Sequence, residues 1–482
     1  MNIPAAVDYI RILPELVLIA GGIAVMLIEP LLDEHNNRKG LGILALLASV
    51  ASIVATFVQA SYPGTAFSGM IRVDGFSTFF HIVVAAVSTL VILASFEYLN
   101  TQHIRYGEYY ALILFGTVGM MLMSSAVELV LVFIALEISS ISTYILAGFR
   151  RRVATSIESS LKYFLLGSFA TAFFLYGVAI MFGVTGSTNV YEIGNTLRAG
   201  APAMAYVAVA LMFVGLGFKV ASAPFHVWTP DVYEGAPSPV VALMSTGPKA
   251  AAFAVLLRVL FATAAPGWFW LIWVSAVLSM FLGNIGALVQ TNIKRMLAYS
   301  SIAHAGYLLV AFAAARDIGI SAAMFYAASY AVMNVGAFLV ISHFASLNER
   351  YVTLDDYAGL GTRQPLLAVT LTIFLLSLIG IPITGGFLAK FYVFTAALQS
   401  NLVWLTILGV INSAIAAYYY LRVIVYMYMR EPRDGATAAP STPIPAALGL
   451  SLALSVIGTI YLGVLPGRVI NFAIESAQQM LR

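Results

Sequence analysis

The sequence contains no cysteine, and charged side chains make up only 9% of its 482 residues. The absence of cysteine excludes disulfides, thiolate catalysis and cysteine-ligated iron–sulfur clusters in this chain. Soluble globular domains carry about 25% charged residues. The scarcity of charge therefore excludes a water-soluble protein of this length.

Basic stretches, metal-ligand spacings and a signal peptide are missing too. The formal net charge of +3 is too small to indicate a nucleic-acid partner. The six histidines lie far apart and show no metal-ligand spacing, so we expect no metal site. The first residues lack the positive stretch and cleavage site of a signal peptide. We therefore expect the first apolar segment to remain as a membrane helix.

Hydrophobic residues account for 61% of the chain and form long runs. A membrane-spanning helix needs about 20 mostly apolar residues. The sequence predicts an all-α, polytopic membrane protein of about 14 transmembrane helices, followed by an amphipathic interfacial tail from Arg468 to Arg482. The approximate spans are 13–31, 41–60, 76–97, 109–124, 127–148, 158–183, 203–224, 237–262, 268–289, 296–314, 320–345, 366–399, 402–429 and 444–464.

Lysine and arginine in the connecting loops predict the orientation of the chain. With the N-terminus outside, twelve of these residues lie in cytoplasmic connections and six lie on the outer side. We therefore expect a multi-pass protein of the cell inner membrane with both termini in the periplasm. The cytoplasmic set contains Arg38, Lys39, Arg105, Arg150, Arg151, Arg152, Lys294, Arg295, Arg350, Arg363, Arg430 and Arg433, and the outer set contains Arg11, Arg72, Arg198, Arg316, Arg468 and Arg482.

Three apolar segments are interrupted by proline and glycine. Proline removes a backbone donor and clashes with the preceding turn, so a helix kinks or unwinds there. In lipid, unpaired backbone persists only where it is buried in protein or lines a wet cavity, and broken helices point to a transporter's pathway. We expect breaks in the seventh, eighth and twelfth segments, at Pro224, Pro230, Pro237 and Pro239, at Gly247 and Pro248, and at Gly380, Pro382, Gly385 and Gly386.

Ionisable residues recur at similar spacing in two halves of the chain. Glu137 and His304 are 167 residues apart, and Lys219 and Lys390 are 171 apart. Two five-helix units would give nearly this offset, and because five is odd, the second unit would be inverted. We predict three N-terminal helices in residues 1–108, two inverted five-helix repeats in 109–262 and 263–430, and a last helix with its tail in 431–482.

Ionisable side chains also lie inside the apolar segments. A charge at the membrane centre costs about 2.5–3.5 kcal/mol on the insertion scale, so four lysines there are hard to explain by packing. Only Lys39 and Lys294 fall in connections. The residues within apolar segments are Glu137, Lys162, Lys219, Lys249 and Lys390.

Buried amines of this kind suit proton transfer. Burial lowers the pKa of a lysine and an adjacent carboxylate raises it, so an amine between these influences can release a proton near neutral pH. A movement of Glu137 relative to Lys219 would load or unload that amine. Lys249 lies beside a helix break where water can enter. The ordinary pKa of histidine suits His304 to a relay position, and Lys390 would be the far station.

Two candidates keep a structural alternative. The amine of Lys162 lies near the start of its segment and could instead reach the membrane interface. His226 follows a proline in a break, so it is either a relay member or a hydrogen-bonded loop residue.

Other polar residues are expected to be structural. Glu128, which lies next to a predicted turn, would be a capping or an interface carboxylate. Arg258 and Arg422 would reach the headgroups from near the ends of their segments. The tyrosines at 418–420 would pack or form an aromatic belt.

Four stretches carry a family resemblance: SIESSLKYFLLGSFATAFFLYG (156–177), GLGFKVASAPFHVWTPDVYEGAPSPVVALMSTGPKAAAF (215–253), NIKRMLAYSSIAHAGY (292–307) and GIPITGGFLAKFYVF (380–394). The chain resembles the antiporter-like membrane subunits of complex I, the proton-translocating NADH:quinone oxidoreductase. That family includes subunits L and M and the multi-subunit sodium/proton antiporters. The chain is similar to the N branch, because it carries Lys390 where subunit M carries a glutamate and lacks the lateral helix of subunit L.

The resemblance implies roles for the buried residues. Glu137 matches the glutamate that tunes the central lysine, and Lys219 matches that lysine. Lys249 matches a connecting lysine, His304 the relay histidine, and Lys390 the lysine leading to the outer side. Lys162 matches a lysine of the sixth helix whose role is less defined.

The resemblance also implies a function and partners. The chain would be a translocase subunit without a redox centre, moving protons while quinone is reduced elsewhere in the complex. It would hold no cofactor and bind no NADH, and partner subunits would carry FMN and iron–sulfur clusters. Its partners would be other membrane-arm subunits and the lipid bilayer. The alternatives are an Mrp-type cation/proton antiporter, a structural membrane spacer and, more distantly, a membrane enzyme.

Overall fold

A computed structural model describes residues 5–33, 38–263, 267–314, 316–431 and 443–481, without the side chain of Arg316. His35, Arg433 and Arg482, which the sequence analysis used, lie outside the described residues. Of the four predicted regions, only 109–262 is described in full.

The described residues are almost entirely helical. The α-helices are α1 (Ala6–Ile10), α2 (Leu13–Ile28), α3 (Lys39–Ala60), α4 (Gly75–Thr101), α5 (Glu108–Ser125), α6 (Leu129–Ala147), α7 (Ala154–Thr185), α8 (Val190–Ala199), α9 (Ala203–Lys219), α10 (Trp228–Gly235), α11 (Ser238–Met244), α12 (Gly247–Thr263), α13 (Trp268–Leu288), α14 (Ile293–Ala313), α15 (Arg316–Phe344), α16 (Leu360–Arg363), α17 (Pro365–Ile379), α18 (Gly385–Gln399), α19 (Val403–Met429), α20 (Ala446–Val464) and α21 (Gly467–Leu481). Short 3-10 helices occupy Glu29–Leu31, Leu347–Glu349 and Leu354–Tyr357, and strands β1 (Gly64–Ala66) and β2 (Ile71–Val73) form an antiparallel hairpin.

Eleven helices within the described residues are long and apolar enough to cross a membrane, and α9 and α17 are shorter apolar helices. The predicted all-α, multi-pass membrane architecture is confirmed, but the number of fourteen spans is not. Three predicted segments are absent from the set of eleven. The seventh and twelfth are broken into shorter helices, and the fourth corresponds to α5, which is 18 residues long.

The expected helix breaks are present. The helix α9 ends at Lys219 and α10 begins at Trp228, while α17 ends at Ile379 and α18 begins at Gly385. A smaller interruption separates α11 from α12 at residues 245–246. The breaks fall in the interrupted segments, but the positions predicted at Pro230 and Pro239 are wrong, because these prolines lie near the starts of α10 and α11, where a missing backbone donor is tolerated.

Side chains of α13 satisfy the backbone freed at the first break. Ser279 Oγ accepts a hydrogen bond of 2.7 Å from the Ala223 nitrogen, and Ser275 Oγ donates one of 2.6 Å to the Ala223 oxygen. Trp228 Nε1 donates to the oxygen of Phe218 at 3.1 Å. Unwound backbone can therefore remain at membrane depth, because protein groups replace the missing helical partners.

The broken elements lie at the centre of the molecule. The helices α11, α12, α14 and α15 are almost wholly buried, whereas α2, α19 and α20 keep much of their apolar surface exposed. The tail forms α21, which packs against α4 and α15. Side chains near the breaks are thus enclosed by other helices.

Two loops make matching contacts. Glu128 forms a backbone bridge with Asn189, and Asn292 forms one with Thr353. Glu128 and Asn292 also cap the N-termini of α6 and α14 with their side chains. Each residue of the second bridge follows its counterpart in the first bridge by 164 positions, since 292 − 128 = 164 and 353 − 189 = 164. Of the two structural roles predicted for Glu128, capping is the one that the structure shows.

Candidate functional site

Three of the candidate lysines are buried at the centre of the helices. Lys219 and Lys390 are 5% exposed and Lys249 is 3% exposed. In the described part of the chain their amines bond to hydroxyl and carbonyl oxygens and form no ion pair within 4 Å. Buried amines without a bound counter-charge are costly, so packing alone does not account for them.

Lys219 closes α9 at the first helix break, next to Glu137 of α6. Its Nζ donates to Ser140 Oγ at 2.8 Å and lies 5.8 Å from the ring centroid of Tyr163. Glu137 acts on it electrostatically, yet Glu137 Oε1 is buried without a hydrogen-bond partner among the described residues. The acid and the amine are therefore neighbours that do not bond in this conformation.

Lys249 lies on α12, just after the interruption that separates it from α11. Its Nζ donates to the backbone oxygen and to Oγ of Ser301 on α14, both at 2.7 Å. A cavity with about 10 Å³ of room for the centre of a water molecule lies between Lys249 and His304. A space of this size holds about one water, so one molecule can bridge the amine and the imidazole.

His304 of α14 is buried among tyrosines. Its Nδ1 is 2.7 Å from Tyr326 Oη, and its Nε2 is 3.3 Å from Tyr420 Oη. Tyr420 is in turn hydrogen-bonded to Ser300. Hydroxyl groups both donate and accept hydrogen bonds, so these tyrosines can pass a proton to and from the imidazole. The sequence analysis treated Tyr420 as a packing residue and missed this contact.

Asn284 of α13 connects this cluster towards Lys390. Its amide nitrogen donates to Tyr307 Oη at 3.2 Å, and its amide oxygen accepts from Tyr419 Oη at 3.1 Å. The ring of Tyr419 lies 4.4 Å from that of Tyr420, measured between centroids. Lys390 Nζ lies 4.9 Å from the centroid of the Tyr307 ring. Polar and aromatic groups thus run from the histidine to the last lysine.

Lys390 of α18 reaches back across the second helix break to the end of α17. Its Nζ donates to the oxygens of Leu378 and Ile379 at 3.0 and 2.8 Å, and to Ser413 Oγ at 2.9 Å. The two carbonyls before these, of Leu376 and Ser377, accept from the backbone N–H of Gly380, which has a φ of 94°. The terminal carbonyls of a helix carry partial negative charge, and the lysine supplies the matching positive charge.

Glycine permits the close approach of the two half-helices. Gly386, at the start of α18, donates its backbone N–H to Ser377 Oγ at 3.2 Å. A Cβ at this position would collide with the backbone oxygen of Ser377. Gly386 is therefore needed for α18 to lie close enough for its lysine to reach the carbonyls of α17.

The predicted residues form two groups. Lys249, His304 and Lys390 lie along one chain of contacts. Lys219 and Glu137 form a separate group, because the hydrogen bonds of Lys219 and Lys249 share no partner within the described residues.

Lys162 and His226 are placed differently from the buried lysines. The side chain of Lys162 is 41% exposed and pairs with Glu158 at 2.6 Å and with Asp231 at 2.8 Å. This position agrees with the alternative in which its amine reaches a polar surface. His226 is half-buried in the first break, and its Nδ1 has no hydrogen-bond partner among the described residues.

A buried ionic cluster, which we call the Glu349 cluster, was missed. Lys294 was predicted in a connection but is fully buried, with its Nζ 2.6 Å from Glu349 Oε2. Arg150 lies 3.4 Å from the same oxygen, and Tyr98 and the Ser238 nitrogen donate to Oε1. Burial acts to raise the pKa of the Glu349 carboxyl. The two cations outweigh burial and lower this pKa to about 2. The cluster joins loops and helices from both halves of the chain.

The prediction for Arg258 is wrong. Its guanidinium is 1% exposed and donates to both carboxylate oxygens of Asp74, at 3.0 and 3.1 Å. Arg422 is half-buried and donates to the oxygen of Leu288, the last residue of α13, and to that of Gln290 just beyond the helix. Both arginines stabilise internal structure, because each finds its acceptors within the protein.

Broken helices and a line of buried ionisable groups define a polytopic membrane protein of the transporter class. Among the described residues, no cluster of His, Asp or Glu side chains could hold a metal ion. Residues 126–416 match the family model described as NADH:quinone oxidoreductase/Mrp antiporter, TM. NADH-quinone oxidoreductase subunit N 2 of Koribacter versatilis is 67% identical over 485 residues, covering 99% of this chain and 98% of that relative. The chain belongs to the NADH:quinone oxidoreductase/Mrp antiporter family of membrane subunits.

Solved structures show the same fold. A chain of respiratory complex I from Thermus thermophilus, with bound aureothin, has a TM-score of 0.81 and 35% identity, covering 95% of this chain and 98% of that chain. A chain of the Mrp complex from Dietzia sp. has a TM-score of 0.87 and 19% identity, covering 98% and 97%. Because the Dietzia chain is only 19% identical to this one, their similarity shows a common fold and nothing more.

Proposed function

We propose that this chain is the N-type, proton-translocating membrane subunit of complex I. Its relative in Koribacter versatilis is named NADH-quinone oxidoreductase subunit N 2, and the two sequences match over almost the whole length of both chains. The observation that carries the transport role is the set of three buried amines, each lying at or beside a helix break and none bound to a carboxylate.

Protons would enter the relay at the pair of Glu137 and Lys219. Because Lys219 Nζ bonds to Ser140 and leaves Glu137 Oε1 without a partner, a small side-chain movement exchanges one contact for the other. A change of about 1.4 kcal/mol in the interaction energy changes proton occupancy tenfold. Such a movement is therefore enough to load or release a proton.

The second half of the relay would run from Lys249 through His304 to Lys390. The number of oxygens that accept hydrogen bonds from each amine is one at Lys219, two at Lys249 and three at Lys390. Hydrogen bonds to an ammonium favour its charged form. Lys390, the station that leads to the outer side, therefore has the largest number of acceptors for an ammonium group in this conformation.

The two halves of the relay would belong to inverted five-helix repeats. The shared offset of 164 residues between the two capped loop bridges supports this arrangement. The same offset pairs Ser140 with His304, since 304 − 140 = 164. The lysines lie on opposite sides of their breaks, since Lys219 ends the helix before the first break and Lys390 follows the second break.

Partners would supply the redox chemistry. In this proposal the chain has no redox centre and binds no NADH, and neighbouring subunits hold FMN and iron–sulfur clusters and reduce quinone. The chain would lie in the cell inner membrane with both termini in the periplasm, beside other membrane-arm subunits. The exposed apolar faces of α2, α19 and α20 are available to lipid and to such neighbours.

The second candidate function is an Mrp-type cation/proton antiporter subunit, which the common fold with the Dietzia Mrp chain favours. Purification of the tagged chain from native membranes separates the two. We expect co-purifying iron–sulfur subunits and NADH-driven proton uptake in vesicles that needs no sodium. A complex without iron–sulfur subunits, with sodium-dependent transport, would instead establish the antiporter.

A further inference from the structure

A buried acid and a buried histidine meet outside the lysine relay, in the N-terminal helices. Glu15 lies in the first turn of α2 and is 2% exposed, and His81 lies in α4 and is fully buried. His81 Nε2 is 3.6 Å from Glu15 Oε1. The mechanism above uses neither residue.

The hydrogen bonds of His81 define its protonation state. Gln59 Nε2 donates to the backbone oxygen of Arg11 at 2.5 Å, which fixes the orientation of this amide. Its other atom, Oε1, therefore faces His81 Nδ1 at 3.1 Å. On the other side of the ring, the backbone oxygen of Met121 lies 3.0 Å from Nε2. Both partners can only accept, so the imidazolium, which donates from both ring nitrogens, is the form that satisfies both contacts.

Glu15 supplies the charge that this imidazolium needs. Neither of its carboxylate oxygens has a hydrogen-bond partner within the described residues, although both are buried. A buried carboxyl group without donors stays ionised only beside a positive charge. The imidazolium of His81 provides it, and the free N–H groups in the first turn of α2 add to it.

The other charged groups near the pair balance one another. Asp74, at the start of α4, is bound by Arg258 at 3.0 Å and by Arg72 at 3.5 Å. Asp74 and Arg258 act on His81 electrostatically with opposite signs. Among the described residues, Glu15 is therefore left with no other cation in contact, and His81 with no other anion in contact.

One side chain, that of Gln59, separates the Glu15–His81 pair from the end of the molecule where α1 joins α2. Gln59 links His81 to the backbone of Arg11. The Arg11 side chain, in turn, donates to the oxygens of Tyr62 and Thr65 beside the hairpin. The contacts of the pair share no residue with those of Lys219, Lys249 or Lys390 among the described residues.

We propose that Glu15 and His81 form a second proton-binding site, held as an imidazolium–carboxylate pair and independent of the lysine relay. The site binds one proton on the imidazole at neutral pH and takes up a second on Glu15 in acid. The assignment does not depend on whether the lysines transport protons.

Infrared spectroscopy of the assembled complex tests the site. The reference is the double variant Glu15→Gln/His81→Gln, which carries neither charge and is expected to assemble. The spectrum of the wild type minus this variant at neutral pH should contain carboxylate and imidazolium bands and no protonated-carboxyl C=O band. Acidification should then produce that C=O band in the wild type only. A C=O band already present at neutral pH, or no response to acid, would overturn the proposal.

Assembly of the single variants gives a second readout. Glu15→Gln resembles a protonated acid in shape, so it would be harmless if the pair were neutral. In our assignment it leaves the imidazolium unpaired, and it should lower the amount of assembled complex several-fold. Adding His81→Gln should restore it. Glu108→Gln, at a first-turn glutamate of α5, is the matched control and should assemble normally. Normal assembly of Glu15→Gln would count against the ion pair.

Discussion

Lys390 Nζ donates a 2.8 Å hydrogen bond to the carbonyl oxygen of Ile379, the last residue of α17. The lysine belongs to α18, so this bond ties together the two halves of a broken membrane helix. A hydrogen bond to a charged group contributes about 1.5–3 kcal/mol, and a cation at a helix C-terminus adds about 0.3–1 kcal/mol. Deprotonation of Lys390 would weaken both contributions, so the packing of the break depends on the charge of the relay residue.

Replacement of Lys390 by alanine should stop proton pumping, because the relay loses its last station. Two buried carbonyls would also lose their donor, at a cost of about 1–3 kcal/mol each, so assembly is expected to fall in part. NADH-driven proton uptake in vesicles, divided by the amount of assembled complex, measures the effect. Lys162→Ala is the matched control, because that side chain is 41% exposed, and it should retain most of the pumping. Equal loss in both variants would contradict the distinction between them.

Replacement of Tyr420 by phenylalanine should slow pumping several-fold, because it removes the hydroxyl that contacts His304 and Ser300 and leaves the ring in place. The measurement is the initial rate of proton uptake at saturating NADH. Tyr418→Phe is the matched control, since Tyr418 lies two residues away and is 62% exposed. An unchanged rate in Tyr420→Phe would remove this hydroxyl from the path.

The sequence was informative about the broken helices and the buried amines. Proline and glycine within apolar segments predicted the breaks after Lys219 and before Lys390, because their effect on a helix is local. Long apolar flanks predicted the burial of these lysines and of Lys249. Charged residues are costly to insert into a membrane and are therefore rare in such segments, so those that occur are easily recognised.

The contacts between distant segments could not be predicted. Glu349 lies in the polar stretch SLNERYVTLDD, which is typical of a solvated loop, and its partner Arg150 is 199 residues away, since 349 − 150 = 199. Arg258 likewise pairs with Asp74 across 184 residues. A single sequence carries local periodicity, whereas these partners are brought together only by the packing of helices from different parts of the chain.

Replacement of Glu349 by glutamine should destabilise the subunit, because Lys294 and Arg150 remain buried without their counter-charge. Removing one partner of a buried pair costs about 3–5 kcal/mol. The backbone at this position already has a φ of 52°, which is a strained conformation for a residue other than glycine. The thermal midpoint of the complex is the measurement. Glu475→Gln, at an exposed position of α21, should leave it unchanged.

The Glu349 cluster also predicts a pH dependence. The pKa of the Glu349 carboxyl is lowered from an ordinary 4.5 to about 2, so the carboxylate stabilises the folded state above about pH 4.5. This contribution is lost as the pH falls from there towards 2. Thermal midpoints measured across this range should fall less steeply in Glu349→Gln than in the wild type. Parallel curves would show that the cluster does not contribute.

Replacement of Glu137 by glutamine should lower pumping at least several-fold, because the amide cannot exert the charge that loads and unloads Lys219. Proton uptake per NADH oxidised is the measurement. Glu128→Gln, on the same helix, is the matched control. Its amide oxygen can still cap α6, so it should change stability by no more than about 1 kcal/mol and leave pumping per complex unchanged. A pumping defect of equal size in both variants would argue for a structural role of Glu137.

The central claim, that a buried amine carries protons through this subunit, is tested most directly by Lys219→Ala. The measurement is the number of protons taken up per NADH oxidised by the assembled complex in sealed vesicles, with subunit content checked in the same preparation. We predict a fully assembled complex in which proton uptake through this subunit is lost. A fully assembled complex that pumps as many protons per NADH as the wild type would contradict the account.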